Sequence, residues 1–277
     1  MIPLNRVREV PPIHVNFQKK NREKFNLELM KDRRTTLQNS GTKLKFLSAR
    51  WRKAKPQLLE ESGQKCAYCE APTAVVAFGD VEHYRPKSKY WWLAYCYDNY
   101  LASCQLCNQK YKGAKFPLKN NSLKSPLTVK RNSTDAFLES HESDLSPDAL
   151  DAAQITTFEA AHQTERPFIV NPYIDDPAKW FAWDANDVLG RVKLVALTGA
   201  QEAQNFVTAA EKDLGLNRIE LQDLRYTEFE KFRTFKLTLN DPGIAAATRT
   251  AVENVIRNMM ADDAAYAGML RFFDPIL

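Results

Sequence analysis

Residues 66–117 read CAYCEAPTAVVAFGDVEHYRPKSKYWWLAYCYDNYLASCQLCNQKYKGAKFP, and the rest of the chain is best read outward from them. Two Cys-x-x-Cys pairs, Cys66/Cys69 and Cys104/Cys107, enclose the dipeptide Glu82-His83. Each pair is a short turn that aims two thiolates at one point, the arrangement that tetrahedral zinc requires. Two reduced, buried cysteine pairs are the plainer alternative. The 34 residues between the pairs exceed the gap of a simple zinc ribbon, so an insert of its own structure is expected there. Cys96 has no partner at such spacing and is expected to be a buried free thiol.

The insert carries the chemistry. Histidine takes a proton from water near neutral pH, and the carboxylate beside His83 suits a hard divalent cation. Asn99 and Asn108 follow His83 by 16 and 25 residues, and Asn108 adds a neutral oxygen at the start of an expected short helix.

This order of acid–His, Asn and Asn between two cysteine knuckles resembles the HNH endonucleases, whose core is a ββα-metal finger. VEHYRPKSK (81–89), NYLASCQLCNQKYKG (99–113) and FPL (116–118) are further similar to the PtuB-type HNH proteins of the Septu anti-phage systems. VNPYIDDPAKWFAWD (170–184) and LGLNRIELQDLR (214–225) extend that resemblance. It implies His83 as general base, Glu82 and Asn108 as ligands of a catalytic Mg²⁺ or Mn²⁺, and Asn99 as a brace for the loop that orients His83. It also implies a partner ATPase of the ABC type. Two departures matter: the pair is Glu-His instead of the commoner Asp-His or His-His, and Asn108 stands where a histidine is frequent. Both keep an oxygen ligand, which favours magnesium or manganese. Arg85 and Lys112 are the expected phosphate contacts.

Charge is divided unevenly along the chain. Residues 1–131 hold 26 Lys/Arg against 10 Asp/Glu, whereas residues 132–277 hold 13 against 24, so nets of +16 and −11 make up the overall +5. A basic half that contains the Glu-His motif is the footprint expected for a polyanion such as DNA. Residues 1–56 alone carry 15 basic side chains and 4 acidic ones. A solvated helix face accounts for any single lysine there, but the set favours phosphate. The acidic half suits protein contacts or a solvated scaffold.

Four expected segments follow: a basic helical region (1–62), the zinc-braced finger (63–118), a polar linker or loop (119–165) and an acidic, mainly helical region with a hairpin (166–277). Pro3, Pro11 and Pro12 keep the lead-in extended. Helices are expected over 18–30, 44–59, 200–214, 217–239 and much of 244–273, and strand over 75–81. The aromatic cluster Trp91, Trp92, Tyr95, Tyr97 and Tyr100 reads as packing around a small core, and His14, His141 and His162 as exposed. The fold class is thus α+β, a ββα-metal finger set in a mainly helical chain. No apolar run approaches the ~20 residues of a membrane helix, the first residues lack the apolar core of a signal peptide, and the cysteine usage fits a reducing cytoplasm. No Walker-type phosphate loop is present, so any ATP hydrolysis falls to another protein. The expected activity is metal-dependent phosphodiester hydrolysis, of DNA first. An RNA-cutting enzyme with the same site, or a non-catalytic zinc module that binds nucleic acid, are the alternatives.

Overall fold

The computed structural model describes residues 1–10, 12–73 and 79–277. Helix α1 (Lys19–Gln38) is followed by α2 (Ser48–Trp51), a 3₁₀ turn (Arg52–Ala54), α3 (Lys55–Glu61) and strand β1 (Asp80–His83). Strand β2 (Tyr100–Ser103) leads into a short helix, Leu106–Lys112, called the site helix below. Then come α4 (Asp135–Glu139), α5 (Ala152–Glu165), the hairpin strands β3 (Phe181–Asn186) and β4 (Arg191–Ala196), and helices α6 (Gln201–Leu214), α7 (Ile219–Leu239), α8 (Ala246–Met259) and α9 (Ala267–Phe273). The strands form two separate antiparallel pairs, β1–β2 and β3–β4. Among the described residues the chain is therefore mixed, mainly helical, with two small sheets. Most of the strand expected over 75–81 lies outside the described residues.

Several elements differ from expectation for identifiable reasons. Helix α1 continues past 30 to Gln38 because later segments hold its polar end: Arg34 pairs with Asp135 at 2.7 Å and Gln38 donates to the Arg131 carbonyl at 2.9 Å. The helix expected over 44–59 is broken, with Pro56 in the first turn of α3. Proline is tolerated there because its missing N–H has no intrahelical acceptor to lose. The helix expected from 217 begins at Ile219 with Arg218 as its N-cap, which leaves Asn217 outside it. Its amide instead bonds both the N–H and the carbonyl of Leu194 at 2.9 Å, docking the α6–α7 corner on β4. The stretch 244–273 is two helices, separated by a turn that ends at Tyr266 with φ +56°.

One buried cluster runs through all four expected segments, from Leu29 through Leu101, Leu138 and Phe158 to Leu221 and Phe273. Residues 119–165, expected as a linker or loop, contribute α4 and α5 to it. Glu165, at the end of α5, is 0% exposed. A smaller cluster of Ile13, Phe17, Leu58, Tyr97 and Tyr100 lies beside β2. The aromatic residues of the insert are packed as expected, with Trp92, Tyr95, Tyr97 and Tyr100 buried. His162 is not exposed: it is buried, and its Nε2 lies 3.0 Å from Asp175. His14 accepts the Asn16 N–H at 3.1 Å, and His141 is half-buried against Phe137.

Candidate metal centre and catalytic cleft

The two knuckles converge. The sulfurs of Cys66, Cys69, Cys104 and Cys107 all lie within 4.8 Å of one another, and Cys69 and Cys104 are 3.9 Å apart. A zinc tetrahedron with Zn–S of about 2.3 Å separates its sulfurs by about 3.8 Å, so the four thiols fit that ion in number, type and spacing. The Cys107 N–H points at Cys104 Sγ at 3.4 Å, which keeps the second turn tight. Cys96 stands apart as a buried free thiol, and burial pushes its pKa up to about 12.

The centre anchors one end of a β–β–helix unit. Strand β1 pairs with β2 in the register Glu82↔Leu101 and His83↔Tyr100. The site helix then carries Cys107 and Asn108 side by side, one toward the sulfur cluster and the other toward a cleft. Its winding is wide, with the Gly113 N–H reaching back five residues to Asn108 O at 2.7 Å, and Gly113 supplies the φ of +51° that ends it. At its back, the Tyr111 ring packs on Gly215, where any Cβ would lie 2.5 Å from the ring. That position requires glycine twice over, since its φ is +63°.

The cleft has a volume of about 600 Å³ and is lined by Asp80, Glu82, His83 and Asn108, with Arg52, Lys55 and Lys87 among the rest of its wall. His83 is buried, 4.9 Å edge-on from Trp51 and 5.1 Å from Tyr100 between ring centres. Its Nε2 lies 3.0 Å from the Ala94 carbonyl. A carbonyl only accepts, so Nε2 carries the proton and Nδ1 is left as the basic nitrogen. Burial, followed by the nearby Lys87 cation, lowers the His83 pKa to about 3, so the ring is neutral at any ordinary pH.

Two rungs join β1 to the site helix. Asp80 Oδ2 accepts from Asn108 Nδ2 at 3.1 Å and from Gln109 Nε2 at 2.8 Å. One turn further on, the Lys112 ammonium closes on Glu82 and donates to the His83 carbonyl at 3.0 Å. Burial lifts the Glu82 carboxyl above its ordinary value, with Lys112 opposing the shift. Asn99, fully buried, braces the turn after His83: its Oδ1 accepts the Arg85 N–H at 2.8 Å and its Nδ2 donates to the Arg85 carbonyl at 3.0 Å.

The two residues expected as phosphate contacts are both buried and paired with carboxylates. Arg85 is 0% exposed, paired through Nε with Glu165 at 2.6 Å and lying 4.8 Å over the Phe158 ring. Lys112 is 1% exposed and held by Glu82. Neither cation faces solvent in this structure. The cations that line the cleft are Arg52, Lys55 and Lys87, the last lying 5.3 Å over the Trp51 ring. Arg52 and Lys55 belong to the basic N-terminal set, but the sequence did not single them out. Asp80 was missed as well, although it lies two residues before Glu82 and alternation in a strand puts the two on one side. For a hard cation the donors are oxygens of the right kind. Among the described residues, however, the four cysteines are the one place where three or more His, Cys, Asp or Glu donors converge.

The unit is thus a cysteine-braced β–β–helix module whose cleft presents a neutral histidine beside a buried carboxylate and a half-buried amide. The chain is similar to Septu protein PtuB of Bacillus mycoides (strain KBAB4), 32% identical over 128 residues, which is 42% of this chain and 43% of that relative. It therefore matches less than half of the relative's length. No protein-family model matches the chain, and no solved structure does. No helix among the described residues is long and apolar enough to cross a membrane.

Proposed function

We propose that the chain is an HNH endonuclease with a ββα-metal finger, hydrolysing phosphodiester bonds in DNA as the nuclease of an anti-phage defence system. The observation that carries this reading is His83, neutral, fixed in one tautomer by Ala94 O, and sharing a cleft with Glu82, Asn108 and three cations. The similarity to a Septu protein supports the defence setting.

In this reading Nδ1 of His83 takes a proton from the attacking water. The hydroxide forms its bond to phosphorus as the 3′-oxygen leaves, giving 5′-phosphate and 3′-hydroxyl ends. Asn99 holds the turn that keeps Nε2–H on its carbonyl, so the basic nitrogen stays turned to the water. The low basicity of His83 rises when substrate phosphates bring negative charge close. Arg52, Lys55 and Lys87 draw the strand into the cleft. Glu82, paired with Lys112, and Asn108 would hold Mg²⁺ or Mn²⁺. When bound, the ion supplies Lewis-acid stabilisation of the charge that develops on the phosphate and the leaving oxygen.

A partner ATPase of the ABC type completes the proposal, docked on residues 166–277, within the net-negative half. Because the buried cluster crosses both halves, surface charge reversals on α7 or α8 are better tests of docking than a truncation, which would open the core. Nuclease activity is tested by incubating labelled duplex DNA, single-stranded DNA and RNA with the protein, with Mg²⁺, Mn²⁺ or EDTA. Metal-dependent DNA cleavage is expected. Cleavage of RNA alone would replace the substrate, and no cleavage of any of the three would leave a binding module.

A further inference from the structure

The cysteine centre has a fifth participant that lies far along the chain. Arg218, at the corner between α6 and α7, directs Nη1 to Cys107 Sγ at 3.8 Å and Nη2 to Cys69 Sγ at 3.9 Å. The two nitrogens thus meet one sulfur each, one from either knuckle. The guanidinium is held in place from behind, since Nη1 also donates to the Gly215 carbonyl at 3.0 Å. The corner is itself fixed by the two Asn217–Leu194 bonds and by Tyr111 packed on Gly215.

Four thiolates around one Zn²⁺ leave two negative charges, and three of these cysteines are buried. Charge of that size in a low-dielectric site needs a cation in contact. Arginine meets the need with a planar fork that reaches two acceptors at once, which a lysine ammonium on a flexible stem does not reproduce. Groups that hydrogen-bond to metal ligands fix the ligands' direction, and losing one typically costs about 10- to 100-fold in metal affinity.

We infer that Arg218 is an outer clasp of the zinc centre, bridging the two knuckles and controlling how long the metal is retained. The metal centre is then assembled by residues from 66 to 218, not by the finger alone. The inference stands apart from the nuclease reading, because it concerns the sulfurs and not the cleft.

The test is the rate at which zinc passes from the full-length, zinc-loaded protein to a chromogenic chelator. Arg218→Gln should release zinc about 10- to 100-fold faster than the parent, and Arg218→Lys should fall between the two. Asn217→Ala is the control. It loosens the same corner but keeps the guanidinium and its Gly215 bond, so it should lower Tm and speed zinc release from the folded protein less than Arg218→Gln does. If Arg218→Gln loses zinc during purification, Arg218→Lys carries the comparison. Parent-like release from both Arg218 variants, or equal acceleration by Asn217→Ala, would overturn the clasp, as would a parent protein that holds no zinc.

Discussion

Asp80 and Asn108 are joined across the boundary between β1 and the site helix, the Asn108 amide N–H donating to Asp80 Oδ2 at 3.1 Å. A carboxylate so placed accepts, so the amide nitrogen faces Asp80 and the amide oxygen is turned away from it. Asp80→Ala frees the amide to rotate. Mn²⁺ affinity, read by electron paramagnetic resonance, should then fall about tenfold, the lower end for losing a group that orients a ligand. Zinc content should not change. Equal affinity in parent and variant would show that Asp80 does not support the site.

Lys112 and Glu82 form a buried pair. Lys112→Met leaves a carboxylate without its cation and should cost about 3–5 kcal/mol in urea unfolding. Adding Glu82→Gln should return much of that loss, since an uncharged amide is cheaper to bury. A single variant as stable as the parent would mean that the ion pair does not form in solution.

His83 lies among Trp51, Tyr100 and the Ala94 carbonyl, so truncation to alanine would open a cavity. His83→Asn is the gentler change. It should keep zinc and a near-parent Tm while cutting DNA cleavage at least ~10²-fold, the low end for losing a general base. Undiminished cleavage would mean that another group takes the proton.

The cations divide into two kinds. Arg52→Ala and Lys87→Ala should each weaken DNA binding and flatten its salt dependence by about one unit of slope, with little change in Tm. Arg85→Met should leave that slope alone and destabilise the fold by about 3–5 kcal/mol, because Glu165 is left buried without its partner. Binding measured across a salt series, beside thermal melts, separates the two.

Metal removal should occur in two stages. Brief EDTA treatment should abolish cleavage while zinc stays bound, and Mg²⁺ should restore it. Cys104→Ser should lose zinc and cleavage together, because the metal's binding energy is part of the fold's. Elemental analysis at each stage is the measure, and zinc lost at the same EDTA dose as activity would contradict separate sites.

The cysteine convergence was legible because two short turns of fixed spacing dictate where their sulfurs point. The α6 boundary was legible for the same local reason, Gly215 taking a left-handed conformation at its end. The burial of Arg85 and Lys112 was not legible, because basic side chains near a motif look alike in sequence. What buries them is Glu165, 80 residues from Arg85, and a strand carboxylate 30 residues before Lys112. His162 was misread for the same reason, its partner Asp175 lying beyond the end of α5. Arg218 had no local signal at all. Its role arises where a helix corner meets two knuckles more than 100 residues earlier.

The adjacency of Cys107 and Asn108 on one short helix has a consequence for the cell. If zinc fills the cysteine cluster, a chain without the metal, or with oxidised thiols, would lose the turn that also sets Asn108 opposite β1. In the nuclease reading, immature and damaged copies would then be silent by construction. A protein with a dangerous reaction at that cleft would need no separate inhibitor to keep its unfinished forms safe.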